Sequence, residues 1–125
     1  MIAQAEAAVA ALRDTYREQL AADVVTLSDI WARIDPQNPD EALKEVQSLA
    51  HNIKGQGGSF GYDLVTSIGA SLCDYMRSAH RSLPKELDIV NAHIKLLKLV
   101  SDNDISGAGG ETGERIVERL RALTR

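Results

Sequence analysis

Apolar residues recur at helical spacing along most of the chain, and no segment alternates in the manner of a strand. Residues 2–34 carry Leu12, Tyr16, Leu20, Val24, Leu27, Trp31 and Ile34 at steps of three and four. One straight helix of that length would measure about 50 Å and overshoot its neighbours. A kink or break is therefore expected near Ala21-Ala22-Asp23, with Trp31 in the core or at its rim. Asn38-Pro39-Asp40-Glu41 reads as a helix start: Asn38 as N-cap, Pro39 at the first helical position, and Glu41 reaching back as a capping box. The second helix then runs to about Gly58 with Leu43, Val46, Ala50, Ile53 and Gly57 as one buried stripe.

Ser59, Phe60 and Gly61 turn the chain. A third helix is predicted from about Tyr62 to Arg81, with Leu64, Ile68, Leu72, Tyr75 or Met76, and Ala79 inward. The fourth starts at a Ser82 or Leu83 cap, with Pro84 in its first turn, and ends near Ser101. Its seam is Leu83, Leu87, Val90, Ile94 and Leu97, widened by Ile89, Leu96 and Val100, with His93 at the boundary of that face. Residues 102–112 read as a loop, and a last helix near Gly113–Leu123 buries Ile116, Leu120 and Leu123. Short turns make successive amphipathic helices antiparallel neighbours. The expected architecture is all-α: an antiparallel up-down four-helix bundle with an additional C-terminal helix, forming one domain over residues 1–125.

Composition narrows the picture. The chain is 44% hydrophobic but only 4% aromatic, so its core is aliphatic, as suits helices packed on helices. A net charge of −4 argues against a nucleic-acid footprint. No apolar run approaches the ~20 residues of a membrane span, and no basic-then-apolar signal pattern opens the chain. A cytoplasmic, monomeric protein is the expectation. The lone Cys73 reads as a small half-buried hydrophobe.

The candidate chemistry lies in the second helix. His51 is one residue off the buried stripe, so it turns about 100° away from the centre of that stripe. Lys44, Gln47, Lys54, Gly55 and Gly58 share its face. Gly55, Gly57 and Gly58 are costly there, each about 0.8–1 kcal/mol worse than alanine in a helix interior. Gly57 falls on the inner stripe and suits close helix packing. Gly55 and Gly58 leave bare backbone beside the imidazole, where another molecule can approach. Arg77, His80, Arg81 and Lys85 form a basic cluster expected near the far end of the helical hairpin, well separated from His51.

Ala50-His51-x-x-Lys54-Gly55, the small residues 57 and 58, Phe60, Gly61, then Leu64, Ile68 and Leu72 resemble the histidine phosphotransfer (HPt) domains of bacterial phosphorelays. The resemblance spans roughly residues 40–80. Gln56 stands where a serine often follows the glycine, and Cys73-Asp74 where many members carry Leu-Glu. The resemblance implies that His51 accepts a phosphoryl group and that Lys54, expected to be exposed, offsets its charge. It implies response-regulator receiver domains as partners, with a sensor histidine kinase or hybrid kinase upstream. Gln47, Gly55, Gln56 and Gly58 are the candidate partner-binding positions.

Neutral imidazole has a reference pKa of ~6.5 and can attack phosphorus through one ring nitrogen. Phosphoryl transfer needs its equatorial oxygens neutralised and usually a metal. No carboxylate lies on the His51 face within one turn, and nothing reads as a magnesium site or nucleotide loop. The glycines of residues 102–112 follow no strand and precede no Gly-Lys-Ser/Thr. His51, His80, His93 and Cys73 lack metal-ligand spacing. The chain is thus expected to carry a phosphoryl group without making one. It needs no cofactor of its own, Mg2+ belonging to the receiver.

Two other readings remain. Gln56 to Tyr62 also resembles the amino-terminal phosphotransfer domain of chemotaxis-type histidine kinases, although the chain's end at Arg125 with no linker favours a free-standing carrier. A non-catalytic helical adaptor that binds receivers is the other, and it predicts that His51→Gln leaves function intact.

Overall fold

The first helix, α1, runs unbroken over Ile2–Ala32, 31 residues or about 46 Å. The expected break at residues 21–23 does not occur. Ala21 and Ala22 are good helix formers, and Asp23 accepts a hydrogen bond from Gln19 one turn back (2.9 Å), so nothing interrupts the backbone ladder there. The helix accommodates its length by overhanging the bundle. Residues 3–15 are all exposed, and burial begins at Tyr16. Leu12, expected in the inner stripe, is therefore 58% exposed, whereas Tyr16, Leu20, Val24, Leu27 and Ile30 are core residues. Trp31 packs against the core rim.

This structure is a computed structural model, and it describes residues 2–78 and 84–124. Ala79, His80, Arg81, the proposed Ser82 or Leu83 cap and the inward Leu83 lie outside the described residues. The other helices are α2 (Asp40–Gly57), α3 (Asp63–Ser78), α4 (Pro84–Asp102) and α5 (Gly110–Thr124). A short 3-10 turn, Gly58–Phe60, joins α2 to α3. The described residues form a helical bundle with no strand.

The second helix starts one residue later than expected. Pro39, not Asn38, holds the N-cap position, and no side chain caps the helix. Proline has no N–H to satisfy, and its carbonyl accepts the first helical bond from Leu43 N–H at 2.9 Å. Asp35 organises the preceding turn instead, accepting from Gln37 N–H through its carboxylate (2.9 Å) and from Asn38 N–H through its carbonyl (3.0 Å). Asp40 and Glu41 in the first turn complement the helix dipole.

Leu43, Val46, Ala50, Ile53 and Gly57 are the buried residues of α2, as the periodicity required. They face Leu64, Val65, Ile68, Leu72 and Met76 of α3 in one aliphatic core with the inner residues of α1 and α4. Each fully buried leucine or isoleucine stabilises the fold by about 1.5–3 kcal/mol. His93 is not a boundary residue: it is wholly buried. Its Nδ1 lies 2.8 Å from the Ile89 carbonyl and its Nε2 2.9 Å from Ser71 Oγ. A carbonyl only accepts, so Nδ1 carries the proton and Nε2 accepts from the serine hydroxyl. Burial pushes the His93 pKa below its usual value, which keeps the ring neutral.

The last helix begins at Gly110, three residues earlier than expected. The preceding loop closes the end of the bundle that holds the α2–α3 turn. Gly107 N–H donates to the Gly61 carbonyl (2.6 Å), and the Gly107 carbonyl accepts from Leu64 N–H (2.9 Å) at the start of α3. Tyr62 Oη donates to Asp104 (2.6 Å), which also pairs with Arg17 of α1 (3.3 Å). Tyr16 stacks on Phe60 with ring centroids 4.8 Å apart. The turn is thereby held between α1 and the α4–α5 loop.

Candidate functional site

The site is built where α2 and α3 run back alongside each other. Their approach depends on two glycines. A Cβ on Gly57 would stand 2.7 Å from Thr66 Oγ1 and 3.0 Å from the Tyr62 carbonyl oxygen; one on Gly69 would stand 3.0 Å from the Lys54 amide nitrogen. Thr66 stitches the pair together. Its hydroxyl accepts from Gly58 N–H at 2.7 Å and donates to the Lys54 carbonyl at 3.2 Å. The chain then reverses through Gly61, whose φ of +87° is left-handed and suits glycine.

On this platform His51 is exposed, and so is Lys44. Lys54 is half-buried rather than exposed, because its Cβ lies where Gly69 allows α3 to come close. Its stem packs while its ammonium remains free to reach outward. His51, Lys44, Gln47, Ser48 and Lys54 line one open groove of about 400 Å³, completed by Cys73 and Arg77 from α3. The groove thus gathers three cations and no carboxylate about one imidazole, in a chain of net charge −4.

Arg77 was missed as a site residue. Sequence spacing placed it at the far end of the hairpin, away from His51, but it shares the groove with His51. Its guanidinium forms an ion pair with Asp74, one turn back on α3. Cys73 is buried in the groove wall rather than half-buried, and burial raises its thiol pKa. Neutral and recessed, it acts as wall rather than nucleophile.

The remaining expected positions divide. Gln47 lines the groove; Gly55, Gln56 and Gly58 do not. All three of the latter are exposed around the end of α2. A Cβ on Gly55 would meet nothing within 4 Å, and one on Gly58 only ordinary contacts at 3.5 and 3.7 Å. Neither glycine is required by packing within this chain. Gly58 lines a second groove with Phe60 and with Val9, Leu12 and Arg13 of the α1 overhang. Among the described residues no group of three or more His, Cys, Asp or Glu is placed to hold a metal ion, and no helix is long and apolar enough to cross a membrane.

The family model described as Hpt domain matches residues 11–103, from the overhang of α1 to the end of α4. No curated protein and no solved structure matches the chain.

Proposed function

The chain belongs to the Hpt domain family, whose members transfer phosphoryl groups through histidine in phosphorelays, and on that premise we propose that His51 is the residue phosphorylated here. The observation that carries this reading is the groove: an exposed imidazole ringed by Lys44, Lys54 and Arg77 with no carboxylate among its lining residues.

In the proposed step a ring nitrogen of His51 attacks the phosphorus of a receiver's aspartyl phosphate. The P–N bond forms as the P–O bond breaks, and the carboxylate leaves with the electron pair. The return reaction reverses each of these. Lys54 and Arg77 offset charge on the phosphoryl oxygens, and Arg77 adds the planar fork that suits them. The receiver supplies the carboxylate and its Mg2+. Gly55 and Gly58 keep the rim bare, so a second protein reaches the imidazole closely enough for in-line transfer. Gln47 and Gln56 supply polar contacts at the edge of that approach. A sensor or hybrid histidine kinase stands upstream, and the chain works as a monomeric cytoplasmic carrier without an ATP site.

The test is transfer of label from phosphorylated receiver domains. Wild-type chain should take acid-labile, alkali-stable label, and His51→Gln should take none. Label that persists in the variant refutes the assignment.

A further inference from the structure

Asp74 and Arg77 sit at i and i+3 on α3 and pair through Oδ1 and Nη2, with side chains 64% and 63% exposed. Arg77 lines the His51 groove; Asp74 does not. Among the described residues, Lys44 and Lys54 form no ion pair, so Arg77 is the one groove cation held by a carboxylate. An ion pair this exposed contributes little and exchanges readily. A protein-bound phosphoryl group carries close to two negative charges and three acceptor oxygens, which match a guanidinium better than one carboxylate does.

We propose that Asp74 is a positioning residue that holds Arg77 in reserve at the groove edge, and that a phosphoryl group on His51 draws the guanidinium away from it. Asp74 thereby sets the lifetime of the phosphorylated chain without touching the phosphoryl group. This rests on the carrier reading given above.

The direction follows from the chemistry of loss to water. Water's oxygen bonds to phosphorus, the P–N bond breaks, its electron pair returns to the ring nitrogen, and water's proton follows. Inorganic phosphate leaves. Loss to water proceeds without the metal and aspartate that a receiver aligns on the phosphoryl group. A guanidinium on the resting phosphohistidine therefore stabilises that ground state more than the unaligned transition state, and slows the loss. Asp74 competes for the guanidinium and so hastens it. The device makes the charged groove less retentive than its three cations alone would make it.

The experiment uses phosphoramidate, which places its phosphoryl group on histidine with release of ammonia and needs no protein partner. Label loss from His51 is followed for wild type, Asp74→Asn, Arg77→Ala and the double variant. Asp74→Asn should lengthen the label lifetime about two- to fivefold, the range open to a weak exposed pair. Arg77→Ala should shorten it, and adding Asp74→Asn to Arg77→Ala should change nothing further. Asp74→Glu, which keeps the carboxylate, should stay near wild type. An Asp74→Asn lifetime equal to wild type overturns the proposal. So does an Asp74→Asn effect that survives in the Arg77→Ala background, since that would be a structural effect. Failure of the wild type to take label at His51 overturns the carrier reading itself, and this inference with it.

Discussion

Gly69 of α3 lies against the backbone of Lys54: a Cβ built on it would stand 3.0 Å from the Lys54 amide nitrogen and 3.2 Å from its Cα. The side chain expected to steady the phosphoryl group is thus placed from beneath, by the absence of a side chain on the neighbouring helix. Gly69→Val should push α3 off α2 and cost about 1–3 kcal/mol by overpacking. Urea denaturation measures that loss. The same variant should slow transfer from receivers, because Lys54 moves with the backbone.

Gly55 and Gly58 behave oppositely: a Cβ on Gly55 would meet nothing within 4 Å, and one on Gly58 would make only ordinary contacts at 3.5 and 3.7 Å. Gly55→Ala should raise stability by about 0.8–1 kcal/mol through helix propensity, visible as a higher Tm. Gly58→Arg should leave the bundle folded and leave labelling by phosphoramidate unchanged. It should slow transfer from a phosphorylated receiver about tenfold or more, because approach geometry dominates that step. Equal transfer rates would remove the docking role of the bare rim.

Thr66→Val keeps the shape of the side chain but removes the acceptor for Gly58 N–H and the donor to the Lys54 carbonyl. The expected loss is about 1 kcal/mol, because Gly58 is exposed and water can satisfy part of what is lost. Hydrogen exchange at the Gly58 amide should accelerate before exchange in the α3 core does.

His93 makes stability depend on acid. Burial lowers its folded pKa, so the unfolded chain takes up a proton near the ordinary value of 6.5 while the folded chain still refuses it. The unfolded state then binds more protons, and stability falls as pH drops below 6.5 toward the folded pKa. The slope attributable to this one group reaches at most about 1.4 kcal/mol per pH unit. Denaturant midpoints measured from pH 7.5 to 5 should show it. His93→Gln, though less stable at neutral pH, should show a shallower fall over that window.

Much of the bundle could be read from the order of apolar residues. The five-residue stripe of α2 and the Leu64, Ile68 and Leu72 seam of α3 were legible because helical period fixes which face is buried; period left Tyr75 or Met76 open, and Met76 is the buried one. Period does not fix how one helix slides along another. That is why Arg77 and Cys73 were not placed beside His51: their neighbourhood depends on the α2–α3 register, set by Gly57, Gly69 and Thr66. Lys54 was misjudged for the same reason, its half-burial coming from Gly69. Leu12 fits the period of α1 but lies beyond the end of its partners, and spacing carries no information about where neighbouring helices stop. His93 lay on a face widened by Ile89, and its complete burial is tolerable because the Ile89 carbonyl one turn back and the Ser71 hydroxyl across the interface satisfy both ring nitrogens; the second of these partners depends on helix register. The Asn38 cap failed because Asn38 belongs to the turn that Asp35 organises, its N–H donating to the Asp35 carbonyl, and the helix begins one residue further on.

Gly107 bonds to Gly61 and Leu64 across the intervening length of α3 and α4. The corner from which the histidine helix departs is therefore latched by residues that a growing polypeptide emits much later. Helical segments can flicker into being as soon as they are made. The turn between α2 and α3 acquires its final fastening only after α4 and the loop behind it have folded back, later than the motif itself is made.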